Sequence, residues 1–252
     1  MTAPRVPPTV KEYGSISELS AGLGAYVAEV SKAAIAARGQ FIVAVSGGSL
    51  PAILGEALVG HDAGIEWSKW HVFLADERLV ANTHEDSNYK QVGQALTWRV
   101  PIAAAQVHAI DDTLLDDAAG VARDYTAQLE AVFGAASLPA FDLLLLGMGP
   151  DGHTCSLFPG HALVDSLAAP VAVVLDSPKP PARRITLTLP VLNAAHNVAF
   201  VSTGEQKAQV LHNILQNNDQ SYPAARVSPA SSVVWFLDVP AASLLPILAP
   251  SL

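Results

Sequence analysis

The segment Gly147-Met148-Gly149-Pro150-Asp151-Gly152-His153 carries the residues best suited to proton transfer in this chain. An imidazole titrates near neutrality, so His153 can both take and give a proton, and the nearby Asp151 carboxylate can orient its ring. The segment formally matches G-x-G-x-x-G, but a dinucleotide turn requires a helix packed directly after it. Thr154 to Phe158 instead runs into Pro159-Gly160, too short for such a helix, so the glycines read as a loop presenting Asp151 and His153. The bland alternative is a histidine satisfied by loop carbonyls. Other residues suit an anionic ligand. Ser46-Gly47-Gly48-Ser49 is small enough for backbone N–H groups to close on a phosphate at a helix start, although an ordinary strand-to-helix turn uses the same residues. Lys207, in Thr203-Gly204-Glu205-Gln206-Lys207, falls in the first turn of an expected helix, where a cation opposes the helix dipole unless an anion sits in front of it. Arg183 and Arg184 are two of only 14 basic residues and suit bidentate phosphate contacts. Asp76-Glu77-Arg78 places charge where a strand ends, either to line a pocket or as a solvated loop with an Asp–Arg pair.

Strands and helices must position these groups. Ser15-x-x-Glu18 is a capping box that opens a helix running to Arg38, closed by Gly39. A buried strand, Phe41 to Val45, leads into the Ser46–Ser49 turn, after which Pro51 sits in the first turn of a helix to about Leu58. The alternation continues with strands at 70–75, 106–110 and 141–146 and helices near 87–98 and 114–133. Three more strands are expected at 171–175, 197–202 and 233–237, with a helix from about Gly204 to Gln216. Leu143-Leu144-Leu145-Leu146 and Val233 to Leu237 do not alternate with polar residues, as in strands covered on both faces. These features predict an α/β fold, Rossmann-like, with a mostly parallel sheet sandwiched by helices, and a single domain over residues 1–252. The proline-rich patch from Ser177 to Pro181 reads as a loop over the sheet edge. Ligand crevices in such sheets lie beyond the C-terminal strand ends, where the candidate residues fall.

Composition narrows the classes. The 252 residues carry a formal charge of −9, which argues against nucleic acid as a partner. Half are hydrophobic, enough for a large core, yet no run of about 18 apolar residues escapes a charge or a proline, so no membrane partner is expected. Met1 to Tyr13 lacks the apolar run of a secretory leader, and the lone Cys155 fits a reducing compartment, so a cytoplasmic location is expected. Cys155 reads as a small packing residue. No G-x-S-x-G, H-E-x-x-H or C-x-x-C occurs, and the eight histidines show no metal-ligand spacing. A monomer is the default.

Together, VAVSGGSLP (43–51), FLADERLV (73–80), DSNY (86–89), LLLLGMGPDGHTCSLFPG (143–160), PPARRITLTLPVLN (180–193) and STGEQK (202–207) resemble the 6-phosphogluconolactonases, in the family's order. The resemblance implies hydrolysis of a small phosphorylated sugar lactone, without metal or cofactor. It implies that His153 moves the proton with Asp151 as partner, that Asp76 and Arg78 line the pocket, and that Ser46, Gly47, Gly48, Ser49 and Lys207 meet the phosphate. Arg184, directly before Ile185-Thr186, fits the pattern better than Arg183. Cys155 stands where the family usually has alanine or serine, and Lys90 to Gly93 departs from the usual pattern. A δ-lactone needs a water activated and its ring oxygen protonated, and one histidine serves both steps, with Arg78 or backbone N–H groups meeting the oxyanion. The alternatives are a glucosamine-6-phosphate deaminase-isomerase, sharing the fold, and a non-catalytic sugar-phosphate binder.

Overall fold

A computed structural model describes residues 6–60, 64–135, 137–167 and 169–246. Its first elements are β1 (Thr9–Tyr13), α1 (Ile16–Arg38), β2 (Phe41–Val45), α2 (Leu50–Leu58), β3 (Trp70–Leu74), β4 (Asp76–Arg78), α3 (Asn88–Val92) and α4 (Ala118–Phe133). They are followed by β5 (Leu143–Gly147), β6 (Val171–Val174), β7 (Arg184–Leu187), α5 (Leu189–Ala194), β8 (Val198–Ser202), α6 (Ala208–Leu215), β9 (Val233–Asp238) and α7 (Val239–Ala242). The expected α/β class holds. Six strands form a wholly parallel sheet in the order β1-β9-β8-β5-β2-β3.

The apolar runs explain its interior. In β2, Phe41, Val43 and Val45 pack into one core while Ile42 and Ala44 enter a second core on the opposite face. Leu143 and Leu145 of β5 join the first and Leu144 and Leu146 the second, so both faces of the sheet are buried. Half of the expected capping box of α1 forms: Ser15 Oγ accepts from the Glu18 N–H, whereas the Glu18 carboxylate accepts from the Gly14 N–H, one residue before the cap, and Gly39 closes the helix at φ 76°.

Several elements differ from expectation. β4, β7 and β6 form a second, antiparallel sheet in that order, with Asp76 opposite Thr186 and Arg78 opposite Arg184. Residues 106–110 are not a strand. A 3-10 turn covers Ala104–Gln106, and Val107 makes one isolated bridge to Val72, because the Gln106 amide donates to the carbonyls of Trp67 and Trp70. The helix near 87–98 is α3 followed by a π-helical turn over Gly93–Thr97. α4 begins only at Ala118, where Asp117 caps the Gly120 N–H.

Candidate active site

The C-terminal ends of β2, β5 and β8, adjacent in the parallel sheet, open into one cleft of about 370 Å³. Ser46 to Ser49, Asp76, Arg78, Gly147 to Pro150, His153, Arg184 and Lys207 all line it. Asp151 stands directly behind His153.

The loop after β5 builds the proton-transfer pair. A Cβ at Gly149 would run into both the His153 ring and the Asp151 carboxylate, so only glycine lets the loop close this tightly. His153 Nδ1 lies 2.5 Å from Asp151 Oδ1, which leaves Nε2 as the nitrogen available to the cleft. The ring stacks on Phe158, with centroids 4.9 Å apart. Burial lowers the His153 pKa, the hydrogen bond and charge of Asp151 raise it, and the charge of Lys179 lowers it; the net direction is down from 6.5. Burial pushes Asp151 up, but His153 and Lys179 outweigh it and hold the carboxyl at about 2.

The Ser46–Ser49 loop begins where β2 ends, the Ser46 N–H donating to the Leu145 carbonyl. Gly48 takes a left-handed backbone at φ 79°, and Pro51 starts α2 behind it. α3 packs against the loop: Asn88 crowds Gly47, and Gln91 accepts from the Gly48 N–H at 3.3 Å. Arg78 is tied to this side of the cleft, because its Nη1 donates to the Asp86 carbonyl at 2.6 Å just ahead of α3. Among the described residues its Nε is buried without a hydrogen-bond partner, as are Ser46 Oγ, Asn88 Oδ1 and Ser202 Oγ. All four belong to residues lining the cleft. Buried polar atoms are normally satisfied, so this cluster gives the cleft polar groups that a polar ligand or water could engage.

Two expectations about arginine are refined. Asp76 pairs with Arg184 at 4.0 Å rather than with Arg78, and Ser156 bridges them, donating to Asp76 at 2.7 Å and accepting from Arg184 at 3.3 Å. Arg184 is only 3% exposed and spends Nε and Nη2 on the carbonyls of Pro181, Lys179 and Pro180. One Nη1 N–H remains, too few for a bidentate clamp. Arg183 points elsewhere, donating to the Leu115 and Asp116 carbonyls. Lys207 ends a 3-10 turn, Glu205–Lys207, ahead of α6 rather than sitting inside it. Burial and then the Lys179 charge lower its pKa, with Asp151 opposing. Cys155 is buried beside His153, and burial pushes its thiol up, as expected of a packing residue rather than a nucleophile.

Lys179 is the residue that reading the sequence missed. Its Nζ lies 3.1 Å from Asp151 Oδ1 and 3.1 Å from His153 Nδ1. The available signal was a lone lysine pinned among Pro178, Pro180 and Pro181 in a chain poor in cations. Among the described residues no cluster of three or more His, Cys, Asp or Glu could hold a metal ion.

A family model for glucosamine-6-phosphate isomerases and 6-phosphogluconolactonases matches residues 14–235. The chain belongs to that family. Within it, a 6-phosphogluconolactonase from Rattus norvegicus is 44% identical over 251 residues, covering 97% of this chain and 96% of the relative. The Homo sapiens 6-phosphogluconolactonase matches to the same extent. Among solved structures of the family, the 6-phosphogluconolactonase of Trypanosoma brucei superposes with a TM-score of 0.84 at 29% identity, covering 95% of this chain and 99% of that one. A monomeric glucosamine-6-phosphate deaminase reaches 0.78 at 18% identity, which shows the shared fold alone.

Proposed function

We propose that this protein hydrolyses 6-phospho-D-glucono-1,5-lactone to 6-phosphogluconate, the lactone-opening step of the oxidative pentose phosphate pathway. The observation that carries this reading is one cleft bordered by an oriented imidazole at one strand end and a small-residue loop with a cation at others. The names borne by relatives at 44% identity support the same substrate.

The chemistry needs one base that becomes an acid. His153 Nε2 takes a proton from water as the water oxygen attacks the lactone carbonyl, giving a tetrahedral oxyanion. When the bond from that carbon to the ring oxygen breaks, the imidazolium returns its proton to the ring oxygen. Asp151 holds Nδ1 and so fixes which nitrogen reacts. Backbone N–H groups of the cleft loops meet the oxyanion, a contribution of about 3 kcal/mol in comparable sites. Ser46 to Ser49, Lys207, Arg78 and the remaining Arg184 N–H hold the phosphate, and this binding energy remote from the reacting carbon positions the carbonyl. The reading includes no metal or cofactor. It places the work in one α/β domain of a cytoplasmic monomer, acting on a small molecule rather than nucleic acid or membrane.

The test is hydrolysis of freshly generated 6-phosphogluconolactone measured against its spontaneous opening, with unphosphorylated gluconolactone and His153→Ala protein alongside. Acceleration confined to the phosphorylated lactone and lost in the variant is expected. Folded protein that gives no acceleration overturns the reading, and ammonia release from glucosamine 6-phosphate becomes the next assay.

A further inference from the structure

The reaction as described leaves Lys179 without a task, yet the chain fixes it with unusual care. Ser177 Oγ accepts from the Lys179 N–H at 3.2 Å and donates back to the Lys179 carbonyl at 2.8 Å. Arg184 donates to the carbonyls of Lys179, Pro180 and Pro181 from its buried guanidinium. A surface lysine on a free loop loses several rotamers when it is held in one place; here the backbone on both sides is already immobilised, so little beyond the side chain itself is left to order.

The ammonium therefore sits at a defined point, 3.1 Å from both Asp151 Oδ1 and His153 Nδ1. While the Nδ1 proton goes to Asp151, Lys179 cannot also donate to Nδ1, so it acts on the ring through charge. A carboxylate 2.5 Å from an imidazole, acting alone, stabilises imidazolium and would leave a base already protonated near neutral pH. The other charged groups around the ring are Asp76, which stabilises imidazolium, and Lys207, which faces Lys179 and Asp151. Phe158 stacks on one face of the His153 ring, and the Arg184 guanidinium lies 5.8 Å from the centroid of Phe158.

We propose that Lys179 is a positioning residue: its ammonium holds the Asp151 carboxylate against His153 Nδ1 and offsets that carboxylate's charge, keeping the imidazole an uncharged proton acceptor. The proposal rests on the acid–base reading of His153. It also serves the second half of the reaction, because an imidazolium beside a cation gives its proton more readily to the departing ring oxygen.

The experiment compares wild type with Lys179→Met and Lys179→Arg. It reads the titration of the His153 ring by NMR in ligand-free protein, assigned with His153→Asn, and kcat and KM for the phosphorylated lactone from pH 5 to 7.5. In Lys179→Met the His153 midpoint and the acidic limb of kcat/KM both rise by roughly one unit, and Lys179→Arg returns them toward wild type. KM stays within about twofold, since no phosphate contact is removed. An unmoved midpoint in folded Lys179→Met overturns the proposal. So does a KM rise of about tenfold with an unmoved limb, which would assign Lys179 to the phosphate instead. An active His153→Asn protein overturns the acid–base reading and the catalytic part of this proposal with it, whereas the midpoint reports the charge effect without turnover.

Discussion

His153 accepts a proton only when uncharged, and its surroundings lower its pKa from 6.5, burial first. The rate constant kcat/KM is therefore expected to hold as pH falls past 6.5 and to decline only below that value; a limb above 6.5 in a buffered-rate series would contradict it. Replacing His153 with asparagine should lower kcat by about 10²- to 10⁴-fold, with the variant's thermal unfolding little changed. Arg78→Met should instead raise KM more than it lowers kcat, because Arg78 is tied to the Ser46–Ser49 side of the cleft. Most of these residues were legible because each lies at or just beyond the end of an apolar strand: Ser46 after β2, Asp76 one residue past β3, Met148 to His153 after β5. Lys179 was not, since it reaches the pair from a loop 26 positions beyond His153 and no local pattern announces that meeting. The choice between Arg183 and Arg184 was equally hidden, because neighbouring residues in a strand face opposite ways and only the pairing of β7 with β4 sets which one turns inward.

Elements with long apolar runs were readable, and short charged ones were not. β4 is three residues, Asp76-Glu77-Arg78, and read as a solvated loop is equally natural until β7 pairs with it. Glu77 is nonetheless almost fully buried, accepting from the N–H groups of Asn88 and Tyr89 at 2.8 Å each and from Ser87 Oγ. Burial pushes its pKa up to about 7 against those bonds. Glu77→Ala would leave the head of α3 with unanswered donors and should destabilise the protein by about 2–4 kcal/mol, read from urea midpoints. The segment 106–110 reads as a strand from its place in the alternation, but it touches the β3 edge at one bridge and through His108, whose ring stacks 3.8 Å from Phe73 and meets His71 at 3.2 Å. Burial and then His71 push His108 down to about 4, with Gln128 opposing. Between about 4 and 6.5 the unfolded chain binds a proton here that the folded chain does not, so this edge contributes full stability above 6.5 and loses it as pH falls toward 4. Urea midpoints should drop from pH 7 to pH 5, and less so in His108→Gln.

At the scale of the whole molecule the site belongs to two sheets. His153, the Ser46–Ser49 loop and Lys207 come from the parallel sheet, and Asp76, Arg78 and Arg184 come from the antiparallel one. Bound product should therefore tie them together: 6-phosphogluconate at about a hundred times its Kd is expected to add about 2.7 kcal/mol and raise the melting temperature, while unphosphorylated gluconate does little. The parallel sheet was legible from its doubly buried strands, but the division of the site between two sheets was not, since the sequence marks no boundary between them. That boundary is one residue wide. Ala75 donates its N–H to the Val45 carbonyl of the parallel sheet and accepts from the Leu187 N–H of the antiparallel one, so the chain crosses between the sheets with no spare length. Length at this crossing is therefore constrained separately from side-chain identity: a single codon gained or lost between Val72 and Arg78 would shift one half of the pocket against the other, whereas a substitution, whatever it costs at its own position, leaves the spacing intact.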